Sequence, residues 1–187
     1  MNEKILFPRS WLPIEKKQFR ILAMLAAEGD FEGNLSDLCR YFRVDPQTRN
    51  RNQLRQALQS LSEQGYIVSE QHGNKFHVSL VPKEEETLQI PREWFEAIRT
   101  NPNTENVAWE NVVKVLLWLF ENGSEIFTNN EIAGELDVSV STVVTAKNVL
   151  EREFSAITKE YKAVKISEDT YRRIGQKVDI CAWWDKK

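Results

Sequence analysis

Phe7-Pro8-Arg9-Ser10-Trp11-Leu12 returns in the middle of the chain as Ile90-Pro91-Arg92-Glu93-Trp94-Phe95. The segments that follow the two copies also correspond. Each has an apolar helix (19–27 and 112–120), a short second helix, a turn, and a third helix that ends at Leu61 or Leu150. An internal repeat is considered first, because it indicates the architecture of the whole chain and not only that of one helix or strand. This repeat predicts two copies of one small α+β unit rather than one large domain.

Residue periodicity predicts three helices and a hairpin in the first half. Helices are expected over about 14–28, after Asn34, which can act as N-cap, and from Leu54 to Leu61. The stretch 45–52 is interpreted as a polar turn. Residues 66–69 and 75–80 alternate apolar and polar side chains around Gln71-His72-Gly73-Asn74, which predicts a β-hairpin.

The second half follows the same order less regularly. Thr128 and Glu131 have the spacing of a capping box, and Ser139 can cap the next helix. Residues 157–158 and 163–166 are expected to form the second hairpin, with a short helix over about 168–173. We therefore place one domain at 1–82, an acidic linker at 83–89, and a second domain with a C-terminal extension at 90–187.

Apolar positions align at an offset of 94 residues before the turn and of 89 residues after it. The first copy therefore carries five extra residues near its turn, which include Arg49 and Arg51. The net charge of the chain is −3, yet residues 40–55 hold five arginines and one acid, Asp45. A basic patch on an otherwise neutral domain is typical of a DNA-binding surface.

The stretch 130–143, Asn-Glu-Ile-Ala-Gly-Glu-Leu-Asp-Val-Ser-Val-Ser-Thr-Val, resembles the helix-turn-helix of bacterial winged-helix regulators. Ala133 would let two helices cross closely, and Val138 would fill the turn. Asp137 stands where that family usually has glycine, and Asp tolerates left-handed geometry. The resemblance implies an α+β fold, mainly α, with two winged-helix domains in tandem. Each would contain three helices and a β-hairpin wing.

The same resemblance places the third helix of each half in a DNA major groove, where Arg can read guanine and Asn or Gln can read adenine. Outward positions of the two third helices, and lysines of the two wings, are the candidate DNA contacts. They are Arg49, Arg51, Asn52, Arg55, Gln56, Gln59 and Lys75 in the first half, and Ser139, Ser141, Thr142, Thr145, Asn148, Lys159 and Lys162 in the second.

The sequence therefore predicts double-stranded DNA binding through two recognition helices, by a monomer acting as a pseudo-dimer or by a homodimer. A replication initiator, a replisome organiser or a transcriptional regulator of a bacterium or mobile element would fit. The alternative is protein–protein binding, as in an adaptor or a phage-encoded inhibitor of the anti-CRISPR type.

Other classes of function lack the required sequence patterns. The two cysteines and two histidines have no metal-ligand spacing, and no phosphate-binding glycine loop or nucleophile–base set is present. We expect no enzyme activity, cofactor or metal. The longest apolar runs fall short of the ~20 residues of a membrane helix. A cytoplasmic protein without a membrane partner is expected.

Overall fold

The structure, a computed structural model, describes residues 3–101, 107–123, 125–167 and 170–180, and these form an α+β fold. The first half contains β1 Lys4–Pro8, a 3-10 turn at Arg9–Trp11, α1 Lys16–Glu28, β2 Phe31–Gly33, α2 Leu35–Tyr41, α3 Thr48–Glu63, β3 Ile67–His72 and β4 Lys75–Leu80. The second half contains β5 Thr87–Pro91, α4 Arg92–Thr100, α5 Trp109–Asn122, α6 Asn129–Leu136, α7 Val140–Arg152, β6 Ile157–Ser167 and β7 Thr170–Ile180. The expected α+β class is confirmed.

The chain divides into two compact units. The N unit contains Ile5–Pro8 and Glu15–Thr87, and the C unit contains the described residues of Met1–Lys4, Arg9–Ile14 and Leu88–Lys187. The short segment 9–14 thus folds with the second half of the chain. One contact within the C unit is a hydrogen bond from the buried Lys114 ammonium to the Ile14 carbonyl.

The N unit packs three helices against a small sheet. Strand β4 lies between β2 and β3, and pairs antiparallel with both. Apolar side chains at helical spacing, such as Phe19 and Leu22 of α1 and Leu58 and Leu61 of α3, are buried in its core. The predicted hairpin is confirmed, and Asn34 forms a complete capping box at α2. Strand β2 was not predicted, because three residues give no readable alternation.

The predicted polar turn at 45–52 is wrong in its second part, because α3 already begins at Thr48. Arg49, Arg51 and Asn52 therefore lie on a helix. The turn before α3 contains Arg43 in left-handed geometry, with a φ of 54°. The corresponding residue of the second half at the offset of 94 is Asp137, which has a φ of 51°. The turns of the two halves share this feature even though their lengths differ.

Helix α4 is a difference between the two copies of the opening segment. In the first copy the 3-10 turn ends at Trp11, and Pro13 follows two residues later. A proline lacks the backbone N–H that would continue a helix. In the second copy no proline interrupts 92–100, and the helix runs for nine residues. Trp94 and Ile98 of this helix are buried.

The second hairpin is larger than expected. Both predicted strands, 157–158 and 163–166, belong to β6, whose partner is β7. The pairing is antiparallel, with Tyr161 opposite Gln176 and an irregularity after Lys162. The expected helix at 168–173 is wrong for 170–173, which are part of β7, and 168–169 lie outside the described residues. A two-stranded arm replaces the compact wing.

The helix caps of the C unit agree with the sequence. Thr128 and Glu131 form both halves of the predicted capping box at α6. The Ser139 hydroxyl accepts a hydrogen bond from the Thr142 N–H at 3.1 Å, which caps α7 as expected. In the described parts of the chain, no helix combines the length and apolar character needed to cross a membrane.

Candidate functional site

A groove of about 660 Å³ opens on the N unit between the start of α2, the first half of α3 and the tip of the β3–β4 hairpin. We call it the arginine groove. Its lining is mostly polar and includes three arginines but no carboxylate: Asn34, Leu35, Ser36, Arg40, Thr48, Arg51, Asn52, Arg55, Gln71, Gly73, Asn74 and Phe76.

The arginines of the groove differ in their partners. Arg40 is held by Asp37, with 2.8 Å between Nη1 and Oδ1. Arg55 donates to the Asn52 side-chain oxygen at 3.2 Å, and Arg51 donates to the Thr48 hydroxyl at 3.4 Å. Within the described part of the chain, no carboxylate oxygen lies within 4.0 Å of the guanidinium nitrogens of Arg51 or Arg55. Two positive charges on adjacent turns of α3 thus face the groove without an acidic partner.

The start of α3 explains how these side chains are positioned. Gln47 is the N-cap, and its carbonyl accepts from the Arg51 N–H at 3.0 Å. The Asn50 amide donates to the Asp45 carbonyl at 2.8 Å and ties the first turn to the preceding loop. Arg51 and Arg55 are four residues apart, so they lie on one side of the helix.

The structure brings together only part of the predicted set in the first half. Arg51, Asn52 and Arg55 line the groove, whereas Arg49, Gln56 and Gln59 are exposed on α3 outside its lining. The Gln59 amide bonds to Glu63 at 2.8 Å. Lys75 is exposed at the start of β4, next to groove residue Asn74.

Sequence reasoning missed the residues that the other walls contribute. In the sequence, Arg40 was noticed only as one of the five arginines of residues 40–55. No local sequence pattern indicated that it lies opposite α3. Asn34 was assigned to a helix cap alone, and Gln71 and Asn74 to a turn, while Ser36 was given no role. Their shared groove arises from packing of α2 and the hairpin against α3, which is a long-range property.

The second set of predicted residues is engaged in local contacts. The hydroxyls of Ser141 and Thr142 each lie 2.8 Å from the Ser139 hydroxyl, and the Thr145 hydroxyl bonds to the Ser141 carbonyl at 2.9 Å. The Asn148 side chain accepts from Lys159 at 3.0 Å, and Lys159 is also paired with Glu151. Lys162 is paired with Glu160, whose pKa it holds below its usual range.

The C unit has its own groove of about 320 Å³, between the start of α6, the start of α7 and β7. We call it the neutral groove, because no charged side chain lines it. Its lining residues are Phe127, Thr128, Asn129, Asn130, Val140, Ile174, Gly175 and Gln176. At the offset of 89, Val140 and Val144 occupy the positions of Arg51 and Arg55. The two grooves therefore lie at comparable places but differ in chemistry.

A buried polar cluster lies behind the neutral groove. The Asn129 side-chain oxygen accepts from the Lys147 ammonium and, at 2.7 Å, from the Gln176 amide. Lys147 and Gln176 are each 2% exposed. The Lys147 ammonium also lies 5.6 Å from the centre of the Phe127 ring, a cation–π distance. Lys147 corresponds to Leu58 in the first half, so this cluster is specific to the C unit.

Neither a metal site nor a reactive thiol is built into these grooves. Across the described ranges, no group of three or more His, Cys, Asp or Glu residues is placed to hold a metal ion. Cys39 lies buried on α2, and burial raises the pKa of its thiol, partly offset by the charge of Arg51. A protonated buried thiol packs as a small apolar side chain.

Comparison with known proteins gives no family for the chain, since no protein-family model and no curated protein matches it.

Proposed function

We propose that the chain binds double-stranded DNA through the arginine groove, and that its two halves are winged helices in tandem. The observation that carries the proposal is the pair Arg51 and Arg55, which face a carboxylate-free groove without an acidic partner within the described residues. The net charge of −3 makes this local concentration of positive charge more distinctive, since a chain that is acidic overall attracts phosphate less than a basic one.

The order of elements in the N unit supports this proposal. Helices α1, α2 and α3 are followed by the β3–β4 hairpin, and α2 and α3 are joined by a turn. In the proposed complex α3 lies in the major groove, which is about 12 Å wide. The hairpin tip, with Gln71, Asn74 and Lys75, then contacts the neighbouring phosphate backbone.

The groove residues divide into two roles in this proposal. Arg51 and Asn52 lie on the first turns of α3 and can reach base edges, where bidentate pairs with guanine and adenine give specificity. Arg55 binds phosphate, which fixes position but carries no sequence information. The proposed contacts are limited to the N unit, because Lys159 and Lys162 already have carboxylate partners.

The proposal is tested with the double variant Arg51→Gln/Arg55→Gln and fluorescence anisotropy on duplex DNA between low and physiological salt. Each lost phosphate contact should make the slope of log K against log salt shallower by about 0.9. We expect the affinity at low salt to fall by roughly tenfold or more, with a slope shallower by about 1 from the lost phosphate contact of Arg55.

The matched control is Lys16→Gln/Lys17→Gln, which removes the same two charges from the start of α1, away from the groove lining. Its affinity and slope should stay close to those of the unchanged chain. Equal losses in both variants would show a diffuse charge effect, and no binding at about 50 mM salt would exclude the DNA proposal for this chain.

A DNA-binding groove of this kind would serve a replication initiator, a replisome organiser or a transcriptional regulator equally. Protein–protein binding is the second candidate function, and the neutral groove of the C unit is the observation that favours it. The two functions are compatible in one chain because they use different grooves.

A further inference from the structure

Three carboxamide side chains form a line along the exposed face of α3. Asn52, Gln56 and Gln59 are all exposed, and they are separated by four and three residues. This spacing places side chains on one side of an α-helix. The buried side chains of α3 lie on the opposite side, at Leu54, Ala57, Leu58 and Leu61. We call Asn52, Gln56 and Gln59 the amide stripe, and it points away from the core.

Arginines lie on both margins of the amide stripe. With 3.6 residues in each turn, Arg55 lies roughly 70° from the middle of the stripe on one side, and Arg49 lies roughly 50° from it on the other. Both arginines are exposed. The exposed face of α3 thus carries neutral amides along its middle and a guanidinium group at each margin.

This order of groups corresponds to what a helix meets in a DNA major groove. The groove is about 12 Å wide and admits one helix, so base edges lie under the middle of the helix and a phosphate strand lies at each side. A carboxamide both donates and accepts, and it can therefore bond to N7 and N6 of adenine at once. The guanidinium groups at the margins supply positive charge beside the phosphates.

We infer that the amide stripe reads adenine in the major groove, so that A·T base pairs are the preferred substrate of α3. This inference rests on the DNA binding proposed above and extends it from the groove lining to Gln56 and Gln59. From Asn52 to Gln59 the helix rises by about 10 Å. Base pairs are stacked about 3.4 Å apart, so the stripe spans about three of them.

Neighbouring side chains orient two of the three amides. The Asn52 oxygen accepts from Arg55 at 3.2 Å, and the Gln59 amide donates to Glu63 at 2.8 Å. A carboxamide oxygen can accept two hydrogen bonds, so Asn52 can accept from N6 of adenine while Arg55 still donates to it. Glu63 lies four residues after Gln59 on the same side of α3, and its negative charge opposes phosphate. The inferred contacts therefore end at Gln59.

The second half of the chain has a different set of residues at the same positions of the repeat. At the offset of 89, Ser141, Thr145 and Asn148 correspond to the amide stripe. The Thr145 hydroxyl bonds to the Ser141 carbonyl, and the Asn148 oxygen accepts from Lys159. Two of the three amides are thus replaced by short hydroxyl side chains, which assigns the inferred readout of adenine to α3 and not to α7.

The test compares two duplexes of about 20 alternating A·T pairs, one ordinary and one in which 7-deazaadenine replaces adenine. That base has a C–H group in place of the N7 acceptor, which lies in the major groove, and it retains Watson–Crick pairing. Neither duplex contains guanine, so a contact of Arg51 with guanine is lost equally from both. By fluorescence anisotropy, the unchanged full chain should bind the ordinary duplex roughly tenfold or more tightly.

Asn52→Ala/Gln56→Ala should bind the ordinary duplex more weakly and should lose most of the difference between the two duplexes. Its slope of log K against log salt should stay unchanged, because these amides do not neutralise phosphates. The matched control is Gln53→Ala/Gln64→Ala, which removes two amides from α3 and its C-cap outside the stripe. The control should keep the full difference, and circular dichroism checks that both variants fold.

Equal affinity of the unchanged chain for the two duplexes would overturn the readout of adenine. An undiminished difference in Asn52→Ala/Gln56→Ala, or an equal loss in the control, would overturn it as well. In each of these cases, binding that still depends on salt and on Arg51 and Arg55 would leave the DNA proposal intact. Absence of binding to either duplex at about 50 mM salt would overturn both proposals.

Discussion

Arg51 and Val140 occupy the same position of the repeat, and so do Arg55 and Val144. Two such differences exchange a basic helix face for an apolar one, while both positions remain on a helix. The arginines are predicted as DNA contacts because they are outward residues of an amphipathic helix in a basic window, and this role stays a prediction. The exposure of the two valines was not predicted, because sequence alone does not distinguish an exposed valine from a core valine.

Gly175 of the C unit gives a prediction about stability at the scale of a single residue. A Cβ atom at Gly175 would lie 2.8 Å from the backbone oxygen of Phe127, which is fixed by paired hydrogen bonds with Gln176. Gly175→Ala should therefore lower the free energy of unfolding by about 1–3 kcal/mol, measured by urea denaturation.

Gly134→Ala is the matched control for that substitution. Gly134 lies within α6, and a Cβ atom there would meet nothing within 4 Å. This variant should stabilise the protein by about 0.5–1 kcal/mol, since alanine loses less backbone entropy in a helix. Equal effects of the two alanines would show that the approach of Phe127 to Gly175 is looser than the structure indicates.

Helix caps were the elements that the sequence predicted best, because a cap depends on a few neighbouring residues. Asn34, Thr128 and Ser139 all act at the predicted helix starts. Strand β7 was the element predicted worst. Its residues include Arg172, Gly175 and Lys177, and they gain strand geometry only by pairing with β6, up to 23 residues earlier.

The capping box of α6 gives a prediction with a defined pH dependence. Hydrogen bonds from the Thr128 N–H and hydroxyl hold the pKa of Glu131 below its usual range. A carboxylate with a depressed folded-state pKa contributes stability above its unfolded pKa, and loses it as pH falls through the folded value. Glu131→Gln should therefore be less stable than the unchanged chain at neutral pH, with the difference vanishing in acid below the usual carboxyl range.

Thr128→Ala tests the same box from its other side. Removal of an N-cap hydroxyl typically costs about 1 kcal/mol. Urea denaturation at neutral pH measures both variants, and their double variant should cost less than the sum, because the two residues share their hydrogen bonds. Strict additivity would contradict a cooperative box.

At the scale of the whole molecule, the repeat predicted two related halves, but it did not predict how differently they are built. The halves differ in α4, in the length of α3 and in the size of the second hairpin. A repeat indicates a shared order of elements, whereas surface chemistry depends on exposed residues that differ between the copies. The sequence predicts DNA contacts through two recognition helices, and our proposal assigns them to the N unit because the linings of the two grooves differ in charge.

The domain boundaries at 82 and 90 remain a prediction, which fragments of the chain can test. A fragment of residues 88–187 lacks the segment 9–14, whose buried residues include Trp11 and Leu12. It also lacks the Ile14 carbonyl that accepts from Lys114. We expect this fragment to unfold at lower urea concentration than the full chain, and to be stabilised by an added peptide of residues 9–15. Equal stability of fragment and full chain would contradict this expectation.

The placement of 9–14 has a consequence for how such a protein can change over generations. Genes that encode tandem domains often recombine at the linker, so that each domain is inherited as an exchangeable part. Here a crossover at codons 83–89 would join the C unit to a foreign leading segment, and would remove the segment 9–14 that folds with it. The two halves are therefore expected to be inherited together, even though they repeat one sequence pattern.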